Sequence, residues 1–355
     1  MNKAVDTLDR LAALEQELFR TYARLGIRRT PLPPVDKTDP ESVALHVEWI
    51  EKELAALERL LERRVRQNRP RSLGERLRSL NPSRLTGRAA LLGLTEPAAS
   101  VDPFGRDDRI YEQLRPWIQQ LFEEYWRVEV EGLPNLPSDG AALMVANHGG
   151  LLPFDALMIR YAVQELHPAG RIPRFLLEDW FMRMPALNIL LQRLGAVRGS
   201  RDNARKLLEK GDVVGLFPEG AKGVTKPWRD RYRVQRFGRG GAIRLALEAG
   251  VPIIPVAVVG NEETYPLLGK APLPRNSDFN FFPITPLFPW LGPAGLMPLP
   301  SKWMIRFGEP IEMGDFPESA ADDDILVNTL NEELRGRIQE MVNQLLQRRR
   351  SPWLG

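Results

Sequence analysis

Apolar residues recur at steps of three and four near both ends of the chain and gather into short unbroken runs through its middle. From Leu8 to Leu25 the positions Leu8, Leu11, Leu14, Leu18, Tyr22 and Leu25 share one helical face. After a Pro-rich connection at 30–39, Asp39 reads as an N-cap with Pro40 at the first helical position. Val43, Val47, Ile50, Leu54, Leu57 and Leu61 then repeat with 4,3 spacing. These two stripes predict an antiparallel helical hairpin over residues 1–67, either packed on the rest of the chain or pairing with a second copy as a homodimer.

Beyond residue 108 the pattern becomes an alternation. Helices are expected at 109–124, 154–165, 202–210 and 240–249, and short apolar strands at 126–131, 141–146, 174–178, 212–217, 252–259 and 303–308. That order predicts an α/β domain, 109–315, built on a mixed, mostly parallel sheet flanked by helices. A C-terminal helix at 322–348 follows, with Val327, Leu330, Leu334, Ile338, Met341 and Leu345 on one stripe. It ends in Arg348, Arg349, Arg350 and Trp353, so 316–355 reads as a C-terminal helix and basic tail.

Charge changes this picture in one place. The 355 residues sum to +3, yet Arg63 to Arg88 holds nine arginines against Glu75 alone, so 68–108 reads as a basic linker. Such a segment suits an anionic membrane surface or stands as a solvated linker. No zinc-finger spacing, RNP-type aromatics or helix-turn-helix signal accompanies it, so nucleic acid is not expected as a partner. Residues 279–300 carry no charge, and prolines at 283, 286, 289, 293, 298 and 300 forbid a spanning helix. Phe281, Phe282, Phe288, Trp290 and Leu296 of this loop either lie at a membrane interface or fold over the core. With no secretory signal and no cysteine, the expected location is the cytoplasmic face of the cell membrane, held peripherally without a transmembrane helix.

Candidate chemistry gathers after the apolar strands. Of three histidines, His46 lies within the heptad helix and His167 in a polar turn. His148 follows the strand 141–146, within Asn147-His148-Gly149-Gly150, with Asp155 opening the next helix. A histidine at the carboxyl end of a strand, with an acid to orient it, suits a general base in an open α/β sheet. Phe217-Pro218-Glu219-Gly220-Ala221-Lys222 follows a second strand, and Gly195, Arg198 and Arg201 precede a helix. Seven basic residues between Lys222 and Arg239 suit a phosphate-bearing ligand or an anionic surface. No ligand spacing suggests a metal.

In this order the blocks resemble the glycerolipid and lysophospholipid acyltransferase superfamily, over about 128–310. Its Asn-His…Asp block is matched by Asn147, His148 and Asp155, with six intervening residues in place of the usual four, a spacing of one bacterial branch. Its Gly…Arg block is matched by Gly195 and Arg201. Its Phe-Pro-Glu-Gly-Thr/Ser-Arg block is matched by 217–222, with Ala221 and Lys222 as departures. Its apolar strand with internal proline is matched by Val251-Pro252-Ile253-Ile254-Pro255-Val256.

The resemblance implies a glycerol-phosphate-acyltransferase-like fold and transfer of an acyl group from acyl-coenzyme A or acyl carrier protein, as substrate, to a lysophosphatidate-like hydroxyl in phospholipid biosynthesis. No cofactor is implied. It implies catalytic roles for His148 as base and Asp155 as its orienting acid. Asn147, Glu219 and Gly220 would serve substrate binding, with Arg198, Arg201 and Lys222 on the phosphate and amides near Gly149 and Gly150 at the oxyanion. A neutral glyceride acceptor is the alternative that Ala221 and Lys222 suggest, and a non-catalytic lipid-binding scaffold on the same fold is the second.

Overall fold

The computed structural model describes residues 101–353 apart from 179–180, 182–184 and 273–280, together with Leu18, Thr21 and most of 42–57. Leu18 packs on Leu57 with Trp49 against them. The rest of the expected hairpin, and the expected linker up to residue 100 with its arginines, lie outside the described residues. At the linker's other end Asp102 pairs with buried Arg174, and Asp107 caps the first helix through the Arg109 amide. The folded unit therefore begins ahead of residue 109.

Helix α1 (Asp108–Gln120) runs into a wider π turn at Leu121–Tyr125. Strand β1 (Glu129–Glu131) therefore starts later than the expected 126–131. Trp126 closes the π turn and stacks on Trp303 at 4.8 Å, and Arg127 turns left-handed at φ +48°. Then come β2 (Ala142–Ala146), α2 (Phe154–Leu166), β3 (Arg174–Leu177), α3 (Pro185–Arg193) and β4 (Val197–Arg198). Next are α4 (Arg201–Glu209), β5 (Val213–Leu216), the short α5 (Ala221–Val224), α6 (Gly241–Ala249), β6 (Ile253–Val259) and the short α7 (Asn261–Thr264). A two-stranded ribbon of β7 (Gly269–Ala271) and β8 (Phe282–Ile284) precedes β9 (Met304–Phe307) and α8 (Asp324–Arg348). The sequence reading had no element for α3, β4, α5, α7, β7 or β8. These strands are two or three residues long, and no periodicity accumulates over so few positions.

Seven strands form one sheet in the order β1-β9-β6-β2-β5-β3-β4, with β9 antiparallel to β6 and the other pairs parallel. This is the expected mixed, mostly parallel sheet. Strands β2 and β6 are buried at every residue, as continuous apolar runs covered on both faces must be. Ala142, Met144 and Ala146 point to the layer of α1 and α2, and Leu143 and Val145 to the layer of α4, α6 and α8. Pro255 is tolerated inside β6 because its backbone oxygen accepts from Gly308 on the β9 side. Its missing N–H faces that side too, where the ladder only begins, at Val256↔Phe307. Helix α8 is part of the domain, with Val327, Leu334, Ile338, Val342 and Leu345 buried in the core. Among the described residues no helix is long and apolar enough to cross a membrane.

Candidate active site

The central strands β2 and β5 are neighbours, and α2, which follows β2, and α6, which follows β5 through the α5 segment, lie on opposite faces. A crevice opens at the carboxyl edge where such a switch occurs. His148 leaves β2 into that crevice and Glu219 leaves β5 beside it. Asp155 sits in the first turn of α2, where the helix dipole favours a carboxylate.

The geometry is a buried relay. His148 Nδ1 lies 2.6 Å from Asp155 Oδ2, with Asp155 fully buried and His148 nearly so. Asp155 Oδ1 accepts from the Ala156 amide at 2.8 Å, and Oδ2 also from Gly149 at 3.3 Å. The imidazole stacks on Phe217 at 4.3 Å, and Phe217 on Phe175 at 5.6 Å. Among the described residues nothing hydrogen-bonds Nε2. Burial works to depress the His148 pKa, but the Asp155 charge and hydrogen bond, helped by Glu219 and Glu178, hold it above the ordinary value. The ring is thus clamped on one nitrogen and open on the other, the requirement for a general base.

Several expected ligand contacts are instead structural. Asn147 Nδ2 donates to the Val258 carbonyl at 2.9 Å and its Oδ1 accepts from the Val258 amide at 2.7 Å, so this side chain extends the β2–β6 ladder and is not turned to a substrate. Glu219 Oε1 accepts from the His148 amide at 2.8 Å and Oε2 from the Gln235 amide at 2.6 Å. With each oxygen accepting from a backbone amide and no exposed side-chain area, Glu219 holds the His148 loop in place. Arg201 pairs with Glu248 of α6. Arg198 ends β4, three strands from β2 and so roughly 14 Å away across the sheet. It lines a groove of about 730 Å³ with Phe104, Lys206 and Lys210. The amide of Gly149 is directed at Asp155, not at an oxyanion position.

Two glycines make the crevice possible. A Cβ on Gly220 would fall 2.2 Å from Glu178 Oε1, and one on Gly223 would fall 2.8 Å from the Cβ of His148. Lys222, which the sequence reading assigned to a phosphate, is exposed on α5 beside Gly223.

Contacts that sequence reasoning missed lie around this pair. Glu178 directly follows β3 and accepts from the Ala221 amide at 3.2 Å. Lys226 Nζ lies 2.6 Å from Glu262 and 3.4 Å from Glu219, all three buried. Lys226 remains charged well into alkaline pH because the two carboxylates outweigh its desolvation. Glu263 pairs with Arg349, tying the C-terminal tail to α7. An acid directly after an apolar strand was the available signal for Glu178; Lys226 was counted in the basic run 222–239, but its pairing with Glu262, 36 residues away, left no signal. Among the described residues no group of three histidine or acidic side chains is disposed to hold a metal.

A family model described as Acyltransferase matches residues 127–259, from ahead of β1 to the end of β6. An uncharacterized protein of Mycobacterium tuberculosis is 45% identical over 258 residues, covering 72% of each chain. A human protein described as a DGAT1/2-independent enzyme synthesizing storage lipids is 25% identical over 218 residues, covering 61% of each. Among solved structures, the 1-acyl-sn-glycerophosphate (LPA) acyltransferase PlsC of Thermotoga maritima aligns with a TM-score of 0.47 at 18% identity, over 81% of this chain and 99% of that one.

Proposed function

The chain belongs to the glycerolipid acyltransferase superfamily, and from that premise we propose that it moves a fatty acyl group from a thioester donor to the hydroxyl of a lysophosphatidate-like glycerolipid. The observation that carries this reading is the His148–Asp155 pair, clamped at 2.6 Å on Nδ1 with Nε2 left unbonded at the mouth of the sheet. In the reaction the acceptor hydroxyl gives its proton to Nε2 as its oxygen bonds to the thioester carbonyl carbon. Asp155 stabilises the imidazolium that forms. When the tetrahedral intermediate collapses the carbon–sulfur bond breaks, and the thiolate takes the proton back from Nε2 and leaves as a free thiol. No side chain need carry the acyl group, in keeping with a chain that has no cysteine.

The donor is acyl-coenzyme A or acyl carrier protein, and Lys222 is the cation offered to the acceptor phosphate. The enzyme works peripherally on the cytoplasmic face of a membrane, where acceptors of this class reside. A second reading, a neutral glyceride acceptor, is favoured by the engagement of Arg201 with Glu248, which leaves fewer cations for a phosphate. A panel of acyl donors and acceptors with purified protein tests both. Thiol release that depends on lysophosphatidate and vanishes in His148→Ala supports the first, equal rates with monoacylglycerol support the second, and full turnover by His148→Ala sinks the base assignment.

A further inference from the structure

We propose that the apolar tip formed by the 281–297 segment with Leu268 is the surface on which this protein meets an anionic phospholipid bilayer. Nine large apolar side chains are exposed among the described residues, and five of them, Leu268, Trp290, Leu291, Leu296 and Met297, belong to this one stretch. Trp290 is 73% exposed. A concentration of that kind on an otherwise polar surface marks a contact face.

The tip is held firmly. Thr285 Oγ1 accepts from the Phe288 amide at 2.9 Å, the Leu291 amide donates to the Leu287 carbonyl at 2.9 Å, and Phe282 packs on Phe288 at 5.1 Å. A Cβ on Gly295 would strike the Leu287 carbonyl at 2.6 Å, so the turn closes on itself at van der Waals contact. The far end is anchored by Tyr265 Oη to the Leu296 carbonyl at 2.7 Å and by Tyr125 Oη to Pro298 at 2.6 Å. These side chains are presented outward by a framed loop, in the manner of an insertion wedge.

Its surroundings select the partner. The Trp228 amide donates to the Leu267 carbonyl at 2.8 Å, which brings the segment that starts at Arg229 against the base of the tip; Arg229 and Arg233 there lie 3.6 and 3.9 Å from Asp230, with their side chains 86% and 77% exposed. Asp230 is the one acid of that run, and 279–300 contains none. Tryptophan settles at the headgroup level, aliphatic side chains enter the acyl boundary and arginines meet lipid phosphates. The tip also adjoins the catalytic crevice. Tyr265 stacks on Phe154 at 6.4 Å, next to Asp155, and α7 abuts Gly149 and Gly150. The link to a lipid acceptor rests on the acyl-transfer reading, whereas the docking itself does not.

The absence of cysteine permits a direct test. Trp290→Cys in the full chain carries an environment-sensitive fluorophore, and Ser138→Cys, exposed at the opposite end of β2, serves as control. With phosphatidylglycerol-containing vesicles the label at 290 should shift to the blue and be quenched by nitroxide lipids, while that at 138 stays unchanged. Arg229→Gln and Arg233→Gln should each weaken vesicle binding about fivefold, the equivalent of about 1 kcal/mol per basic residue near an anionic surface. Replacing Trp290 and Leu291 together by serine should weaken it roughly tenfold or more. The proposal is overturned if the protein fails to bind these vesicles, if it binds while the label at 290 remains in water, or if the label shifts with protein concentration alone, which would mean a second copy covers the tip. Acyl transfer to a water-soluble short-chain acceptor, measured without vesicles, should persist in the double serine variant. Its absence from the unmodified protein would refute the reaction and leave the docking result standing.

Discussion

Asp155→Asn isolates the charge of the relay at nearly constant shape. The carboxylate serves Nδ1 of His148 at 2.6 Å and the Gly149 amide at 3.3 Å through one oxygen and the Ala156 amide at 2.8 Å through the other, and asparagine has a single oxygen to offer. If that oxygen faces Ala156, its amide group donates to Nδ1 and puts the ring proton on Nε2, the wrong tautomer for a base. If it faces Nδ1, the buried Ala156 N–H is orphaned. In both cases the anion that stabilises the imidazolium is gone, so most of the general-base contribution should be lost, roughly 10²–10⁴ in kcat/KM. At about 1.36 kcal/mol per decade this is about 3–5 kcal/mol of transition-state stabilisation. The pH profile adds a signed test. His148 must be neutral to act, and in the intact relay its pKa is held above 6.5, so kcat/KM should rise with pH through a value above 6.5. In Asp155→Asn burial is opposed by less negative charge, so the rising limb should move to lower pH even as the plateau falls. Thiol-detecting reagents read the release of coenzyme A directly, since the protein contributes no thiol. A variant within tenfold of the parent rate, or a limb that moves to higher pH, would refute the reasoning.

Three further outcomes follow from the contacts around the relay. Asn147→Ala removes both partners of the buried Val258 peptide groups and should cost about 2–4 kcal/mol in urea unfolding; a loss below about 1 kcal/mol would mean the ladder closes without it. Lys226→Met strips the cation that pairs with both Glu219 and Glu262, and should destabilise by about 3–5 kcal/mol, whereas unchanged stability would show that the buried carboxyls do not depend on it. Gly223→Ala introduces a methyl 2.8 Å from the Cβ of His148 and should lower kcat roughly 10²-fold with a smaller change in unfolding midpoint; unaltered turnover would show that α5 yields instead.

The alternation of helices with fully apolar strands was enough to announce the sheet, and the positions of His148, Asp155 and Glu219 after β2 and β5 were enough to place them at one edge. Those are local properties, carried by runs of five to seven buried residues such as β2 and β6 and by the residue that follows each. Roles were another matter. Asn147 and Glu219 read as substrate ligands along the chain, and only the pairing of β2 with β6 and the approach of residue 235 reveal that both side chains are consumed by backbone. Arg201 read as a phosphate ligand, and the ion pair that α6 gives it through Glu248 had no counterpart in the sequence. Lys226 and Arg349 read as members of basic runs, and their pairing with Glu262 and Glu263 was silent because a buried ion pair leaves no period or spacing in a sequence. What the sequence alone determined was therefore the class of fold, the order of its chemical residues and the nitrogen chemistry available to them. Which polar groups are free to meet a ligand was decided only in three dimensions, because a hydrogen bond is satisfied by whatever neighbour the fold supplies, however distant in the chain.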